Sequence, residues 1–458
     1  MDFSALATGY VLTGLALYVL VCILCWWLLS CRRYVILLLW PVIIYFLGPT
    51  LTDFLQGVPG LDRYVFEEQT LAETLVILCY FVGVVVADSM LNLSAIIEDS
   101  IHNPTVRSLA ASPLFLPLFF GTAVLAIVLQ INILRTYGTV LTGNYAYWSS
   151  IDDDEAGWGF LAGLYEIIFL CFMVAMLGGG LSRRTHHLIN GIYVLTALLR
   201  LAGGTRLVLV KELALIIILL YLQGRIPGRK LLIVSGATLV GGGVIGLMRS
   251  SGAGLDGGML GPLYSVVIES ALNALSFNIA YQMQLLGGLD PLAHLGDTLS
   301  FLVLSIVPGF LRGGITATEL EAMGPYGAGY GGFNTISPVG GMSGFATLTY
   351  FSGNVMVAVS VLVIGLAVVL RFTPASRWKR LGVLVLVLNA IHFWRDPIDI
   401  ALKLLVQDML IVLLFLYVPC LAQWRIPQLG GGGRAVHPEA SATSAAYAEG
   451  LGPAQGIS

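Results

Sequence analysis

Long apolar runs separated by short polar connections make up most of the chain. The runs fall at about 8–30, 34–56, 71–92, 113–134, 158–181, 188–202, 207–222, 231–248, 352–370, 381–394 and 401–421. They are continuous rather than alternating, which predicts helices and excludes a membrane β-barrel. A helix needs about 20 apolar residues to cross the hydrocarbon core of a bilayer. The pattern predicts an all-α polytopic integral membrane protein with eleven spans. Two weaker runs, 264–286 and 298–311, would make thirteen if they also cross; otherwise they are re-entrant or lie on the surface.

The runs divide the chain into four parts. Residues 1–248 form a first transmembrane block of about eight helices. Residues 249–350 alternate apolar runs with Gly/Pro-rich breaks, and are expected to fold as an extracytoplasmic cover over the mouth of the bundle. Residues 351–421 hold the last three spans, and 422–458 open a Gly-, Ala-, Ser- and Pro-rich tail expected to be disordered. Lys and Arg cluster at Arg32-Arg33, Arg183-Arg184, Arg225 with Arg229-Lys230, Arg371 with Arg377, Lys379 and Arg380, and Arg425. All these connections share one side if the N-terminus is extracytoplasmic and the C-terminus cytoplasmic, the arrangement favoured by the excess of basic residues on inner loops.

Composition agrees. Mean hydropathy is +0.88 and only 11% of residues are charged, against roughly 25% in soluble domains. The net charge of −3 adds little. The six cysteines lie in or at the ends of apolar runs. Cys22 and Cys25 match C-x-x-C but have no His or charged neighbours, so they read as packing residues. The first run lacks a basic leader and a cleavage site, and is expected to be a retained helix.

Candidate chemistry lies in the residues that interrupt this pattern. Arg200, Arg206, Lys211, Arg249, Arg312 and Arg395 all fall at or near outer ends of spans. An ionisable group in a span costs roughly 2.5–3.5 kcal/mol on insertion scales and tends to face an interior site. Each arginine alone could snorkel to headgroups; six together predict a shared anionic ligand, with guanidinium forks suited to phosphate oxygens. Tyr264 to Leu286 reads as an amphipathic helix with Ser265, Glu269, Asn273 and Ser276 on a polar stripe. Glu269 and His392 are the candidate bases. In the Gly-rich segment 313–344, Tyr326, Tyr330 and Phe333 are candidate sugar-binding aromatics. The acidic run Asp152 to Glu155 reads as a solvated loop rather than a cation site, and no metal or cofactor is predicted.

The order of these features resembles the oligosaccharide repeat-unit polymerases, the Wzy-type membrane glycosyltransferases, and more distantly the O-antigen ligases. The resemblance rests on Gly204-Thr205-Arg206 opening a span, Arg249 beyond the next hairpin, Val307 to Arg312, the Gly-rich segment that follows, and Trp394-Arg395-Asp396 before the last span. It covers roughly residues 190–421. One departure is that Gly309, not a basic residue, follows Pro308. The resemblance implies a glycosyltransferase of the inner membrane that joins undecaprenyl-pyrophosphate-linked oligosaccharide repeat units on the outer face. It implies membrane lipid, a flippase and a chain-length regulator as partners, and no nucleic acid. Ligase-type transfer to a lipid or protein acceptor, and transport of the lipid-linked glycan, are the alternatives.

Overall fold

A computed structural model describes residues 9–50, 67–102, 109–139, 158–178, 181–203, 206–250, 270, 274–282, 295–307, 312, 315, 319–320, 343–352, 355–374, 376–396 and 398–424. The described residues are all-helical and contain no strand. The helices are α1 (Gly9–Ser30), α2 (Ile36–Tyr45), α3 (Leu47–Thr50), α4 (Glu67–Leu91), α5 (Leu93–His102), α6 (Phe115–Tyr137), α7 (Trp158–Leu177) and α8 (Arg183–Ala202). They continue with α9 (Arg206–Leu222), α10 (Gly228–Ser250), α11 (Leu295–Ile306), α12 (Gly344–Ser352), α13 (Val355–Phe372), α14 (Arg377–Leu388), α15 (His392–Arg395) and α16 (Ile398–Trp424). Three stretches are long and apolar enough to cross a membrane: Thr13–Ser30 in α1, Ala72–Leu91 in α4 and Phe115–Thr136 in α6.

Three expected elements differ. The run 34–56 is not one helix: α2 is ten residues long, contains Pro41, and breaks at Phe46 before the four-residue α3. Pro41 supplies no backbone donor to the helix, and a ten-residue helix rises only about 15 Å. The run 381–394 is likewise split, into α14 and the short α15, with Asn389 closing α14. The third is the polar stripe at 264–286, where 274–280 are helical and buried on every side. That segment is therefore enclosed rather than half-exposed: Ser270 Oγ donates to Ile44 O at 2.8 Å, and Ser276 Oγ accepts from Ser343 N at 3.2 Å.

One end of the bundle is knitted by acids set against basic turns. Asp88, in the last turn of α4, pairs with Arg33 at 2.7 Å and accepts from Ser94 N at 2.7 Å. Asn92 takes a left-handed φ of 53° between α4 and α5, a conformation asparagine tolerates better than most residues. Asp99 on α5 pairs with Arg380 at 2.8 Å, and Tyr34 meets His102 at 2.8 Å. Gly224, at the α9–α10 turn, lies against the Arg32 guanidinium. The basic turns at 32–33, 224–225 and 371–380 therefore share this end.

At the other end, the buried Trp394 ring joins four elements. It stacks on Tyr45 of α2, and meets Tyr80 of α4 and Phe345 of α12 edge-on at 5.0 and 4.7 Å between centroids. Gly344 permits the last contact: a Cβ there would sit 2.2 Å from Phe393 O. The opposite face of α15 carries His392.

Candidate functional site

Four elements bring charged side chains together: α7, α8, α9 and the α14–α16 connection. Arg200 lies in the last turn of α8, and Lys211 in the second turn of α9. Helical rise puts Lys211 roughly 17 Å from the basic end, measured to Leu222. It also puts Lys211 and Arg200 at the same level, because α8 and α9 join through the short connection 203–205.

Two sub-networks share this level. In the first, Glu212 is 0% exposed and both its oxygens are taken. Oε1 accepts from Arg200 Nη1 at 2.8 Å and Oε2 from Tyr193 OH at 2.6 Å. Arg200 is 4% exposed and its guanidinium carbon lies 4.6 Å from the Tyr165 ring centroid, a cation–π contact. Tyr165 OH in turn donates to Gln130 Oε1 on α6 at 2.8 Å. This ion pair is electroneutral. The sub-network fixes α6, α7, α8 and α9 against one another, since a carboxylate away from water requires full hydrogen bonding.

The second sub-network is a cluster of titratable groups in which Glu166 Oε1 also lies 3.7 Å from His392 Nε2. Lys211 Nζ donates to Glu166 Oε1 at 2.8 Å and lies 2.5 Å from His392 Nε2. His392 Nδ1 meets Asp396 Oδ2 in a short hydrogen bond. With the ammonium donating to Nε2, the network assigns the proton of His392 to Nδ1, which donates to Asp396. Asp396 lies past the end of α15, in the connection to α16. Burial opposes its ionisation, but the Arg395 guanidinium and the His392 hydrogen bond outweigh burial and hold its carboxyl below the usual carboxylate range. Asn389 Nδ2 donates to Asp408 Oδ2 at 2.8 Å. Asp408 Oδ1 is buried and unpartnered among the described residues, within electrostatic reach of Glu166, His392 and Lys211.

Lys211 and His392 are the most enclosed members, at 4% and 5% exposed, while Glu166 is 12% exposed, Asp396 17% and Arg395 35%. The buried Arg200–Glu212 unit thus forms a floor, and the side open to a ligand is the one carrying Glu166, Asp396 and Arg395, with His392 just beneath them.

The predicted residues fare unequally. Arg200, Lys211, His392 and Arg395 come together. Each of the three cations already faces a carboxylate: Glu212, Glu166 and Asp396 respectively, the last at 3.5 Å. Arg312 turns back on its own segment, donating to Val307 O at 2.8 Å and Ser305 O at 3.3 Å, where it closes the end of α11. Arg206 begins α9 and Arg249 lies in the last turn of α10; their side chains fall outside the described residues, as do Glu269, Tyr326, Tyr330 and Phe333 altogether. Sequence reasoning missed Glu166 and Asp408. Glu166 is the one acid of α7 and Asp408 the one acid of the apolar run 401–421, and an acid inside such a run is a signal in itself. Comparison with protein-family models, curated proteins and solved structures yields no match to this chain.

Proposed function

We propose that the protein is a membrane glycosyltransferase that extends a lipid-pyrophosphate-linked glycan at the end of the bundle opposite its basic turns. On this reading the helices of seventeen residues or more cross the bilayer, and α2–α3 and α14–α15 are interrupted spans, giving the eleven crossings that hydropathy predicts. The basic end faces the cytoplasm of a bacterial inner membrane, and the site faces outward.

The observation that carries the proposal is the Glu166–Lys211–His392–Asp396 chain. A run of four titratable groups is costly to keep in an apolar bundle, and such groups mark sites rather than packing. Asp396 orients the imidazole and would stabilise it once protonated, and His392 Nε2 points at Lys211. Nε2 cannot accept a sugar proton while Lys211 occupies its lone pair. A lipid diphosphate entering beside Arg395 draws the ammonium away and frees Nε2 for the attacking hydroxyl. The hydroxyl oxygen then forms a bond to the anomeric carbon of the donor glycan as the bond to the pyrophosphate oxygen breaks. His392 takes the hydroxyl proton, and the cations stabilise charge growing on the lipid diphosphate. Arg200 holds the floor through Glu212.

The test uses purified protein with lipid-linked repeat units. His392→Gln and Lys211→Met should each lower glycan extension by about 100-fold or more while the proteins stay folded. Wild-type rates in both would overturn the proposal. Transfer of one finished glycan to a lipid core or protein, without extension, would identify a ligase instead. Movement of the lipid-linked glycan across vesicles without new bonds would identify a transporter.

A further inference from the structure

At the basic end, far from the charged chain, two concavities meet at Leu91. One is an apolar groove of about 640 Å³ between α4 and α13, lined by Val82, Val86 and Met90 on one side and Ile364 and Val368 on the other. Its lining on α4 runs from Leu78 to Leu91, about 20 Å by helical rise and somewhat more than one leaflet of hydrocarbon. Gly83 sets its floor, because α4 there approaches Val363 too closely for a relaxed Cβ, at 3.3 Å. The other is a polar cavity of about 220 Å³ holding Arg371, Lys379 and Arg380 with the single carboxylate Asp99. Arg371 follows Ile364 and Val368 on α13 at helical spacing, so the groove leads directly into the cations.

From this juxtaposition we propose that groove and cavity together bind one anionic phospholipid of the basic-side leaflet, its phosphate between Arg371 and Lys379 and an acyl chain along α4 and α13. Three features select that occupant. The cavity carries three cations against one acid, and Arg380 is already committed to Asp99 at 2.8 Å. Arg371 has no hydrogen-bond or ion-pair partner among the described residues. Arg377, Lys379 and Arg380 stand in the first turn of α14, where the helix dipole is positive and cations are disfavoured. An anion set in the cavity relieves the two of them that line it, Lys379 and Arg380. The groove supplies an apolar slot that inorganic phosphate cannot use.

The experiment titrates the purified full-length protein with phosphatidylglycerol, with phosphatidylcholine and with sodium phosphate. Native mass spectrometry reads bound lipid and thermal unfolding reads protection. The expected result is saturable one-to-one binding of phosphatidylglycerol that raises the unfolding midpoint, with little effect from the other two. Equal protection by phosphatidylcholine would reduce the groove to ordinary annular contact and overturn the proposal. Protection by phosphate alone would leave only an anion site and overturn it equally. This comparison of three probes needs no variant. Arg371→Ala with Lys379→Ala should weaken phosphatidylglycerol about tenfold or more, and Val86→Trp should weaken it with the cations intact. Undiminished binding in either variant counts against the site.

Discussion

Glu212 offers the most direct measurement of what the buried charges cost and contribute. Glu212→Leu removes the carboxylate but leaves the Arg200 guanidinium positive in a buried pocket, over the Tyr165 face and without its closest counter-charge. Removing one partner of a buried pair costs about 3–5 kcal/mol, and Arg200→Met should cost a similar amount by stranding the carboxylate. If the two act independently, the double variant Arg200→Met/Glu212→Leu falls near the sum, about 6–10 kcal/mol. If they form one electroneutral unit, the double variant is only about 1–3 kcal/mol less stable than the parent, chiefly because Tyr193 OH loses its acceptor. Equilibrium unfolding in mild detergent with rising dodecyl sulfate, followed by tryptophan fluorescence, measures all four proteins. A double variant as unstable as the sum would refute the pairing. The same protein bears on function: if it folds and still extends glycan, Arg200 is floor and not a phosphate ligand.

Further outcomes can be checked separately. Gly344→Ala drives a Cβ into Phe393 O and should destabilise by about 1–3 kcal/mol, visible as a lower unfolding midpoint. Trp394→Ala empties the contact among α2, α4, α12 and α15, and should cost about 3–5 kcal/mol in the same assay. The carboxyl of Asp396 is held low in the folded state. Its contribution is therefore complete above the ordinary carboxylate range and is lost as pH falls through the folded value. Stability profiles of parent and Asp396→Asn should converge at low pH and separate toward neutrality; parallel profiles would contradict the His392–Asp396 bond. Cys31 is the exposed thiol among the described cysteines. A membrane-impermeant maleimide should modify it in inside-out vesicles and not in right-side-out ones; the reverse result inverts the orientation.

Much of the helical layout was legible in sequence because lipid leaves the backbone little choice. A continuous apolar run must satisfy its own hydrogen bonds, so α1, α4 and α6 follow from hydropathy alone. The clustering of basic turns at one end was legible for a similar reason, since each turn interrupts an apolar run with Lys or Arg. The breaks inside 34–56 and 381–394 were not, because hydropathy averages over Pro41 and over the turn at Asn389.

The site divides along the same line. The sequence by itself determined that Arg200, Lys211, His392 and Arg395 lie near the same ends of their helices, which is a matter of depth. Depth does not say which way a side chain faces or what neutralises it. Only the tertiary arrangement that turns side chains of α7, α8, α9 and the α14–α16 connection into one interior decided that Glu166 meets Lys211, that Glu212 is spent on Arg200, and that His392 lies between an ammonium and a carboxylate. Those pairings depend on the rotation of each helix about its axis, set by side chains scattered over many apolar runs rather than by any local motif.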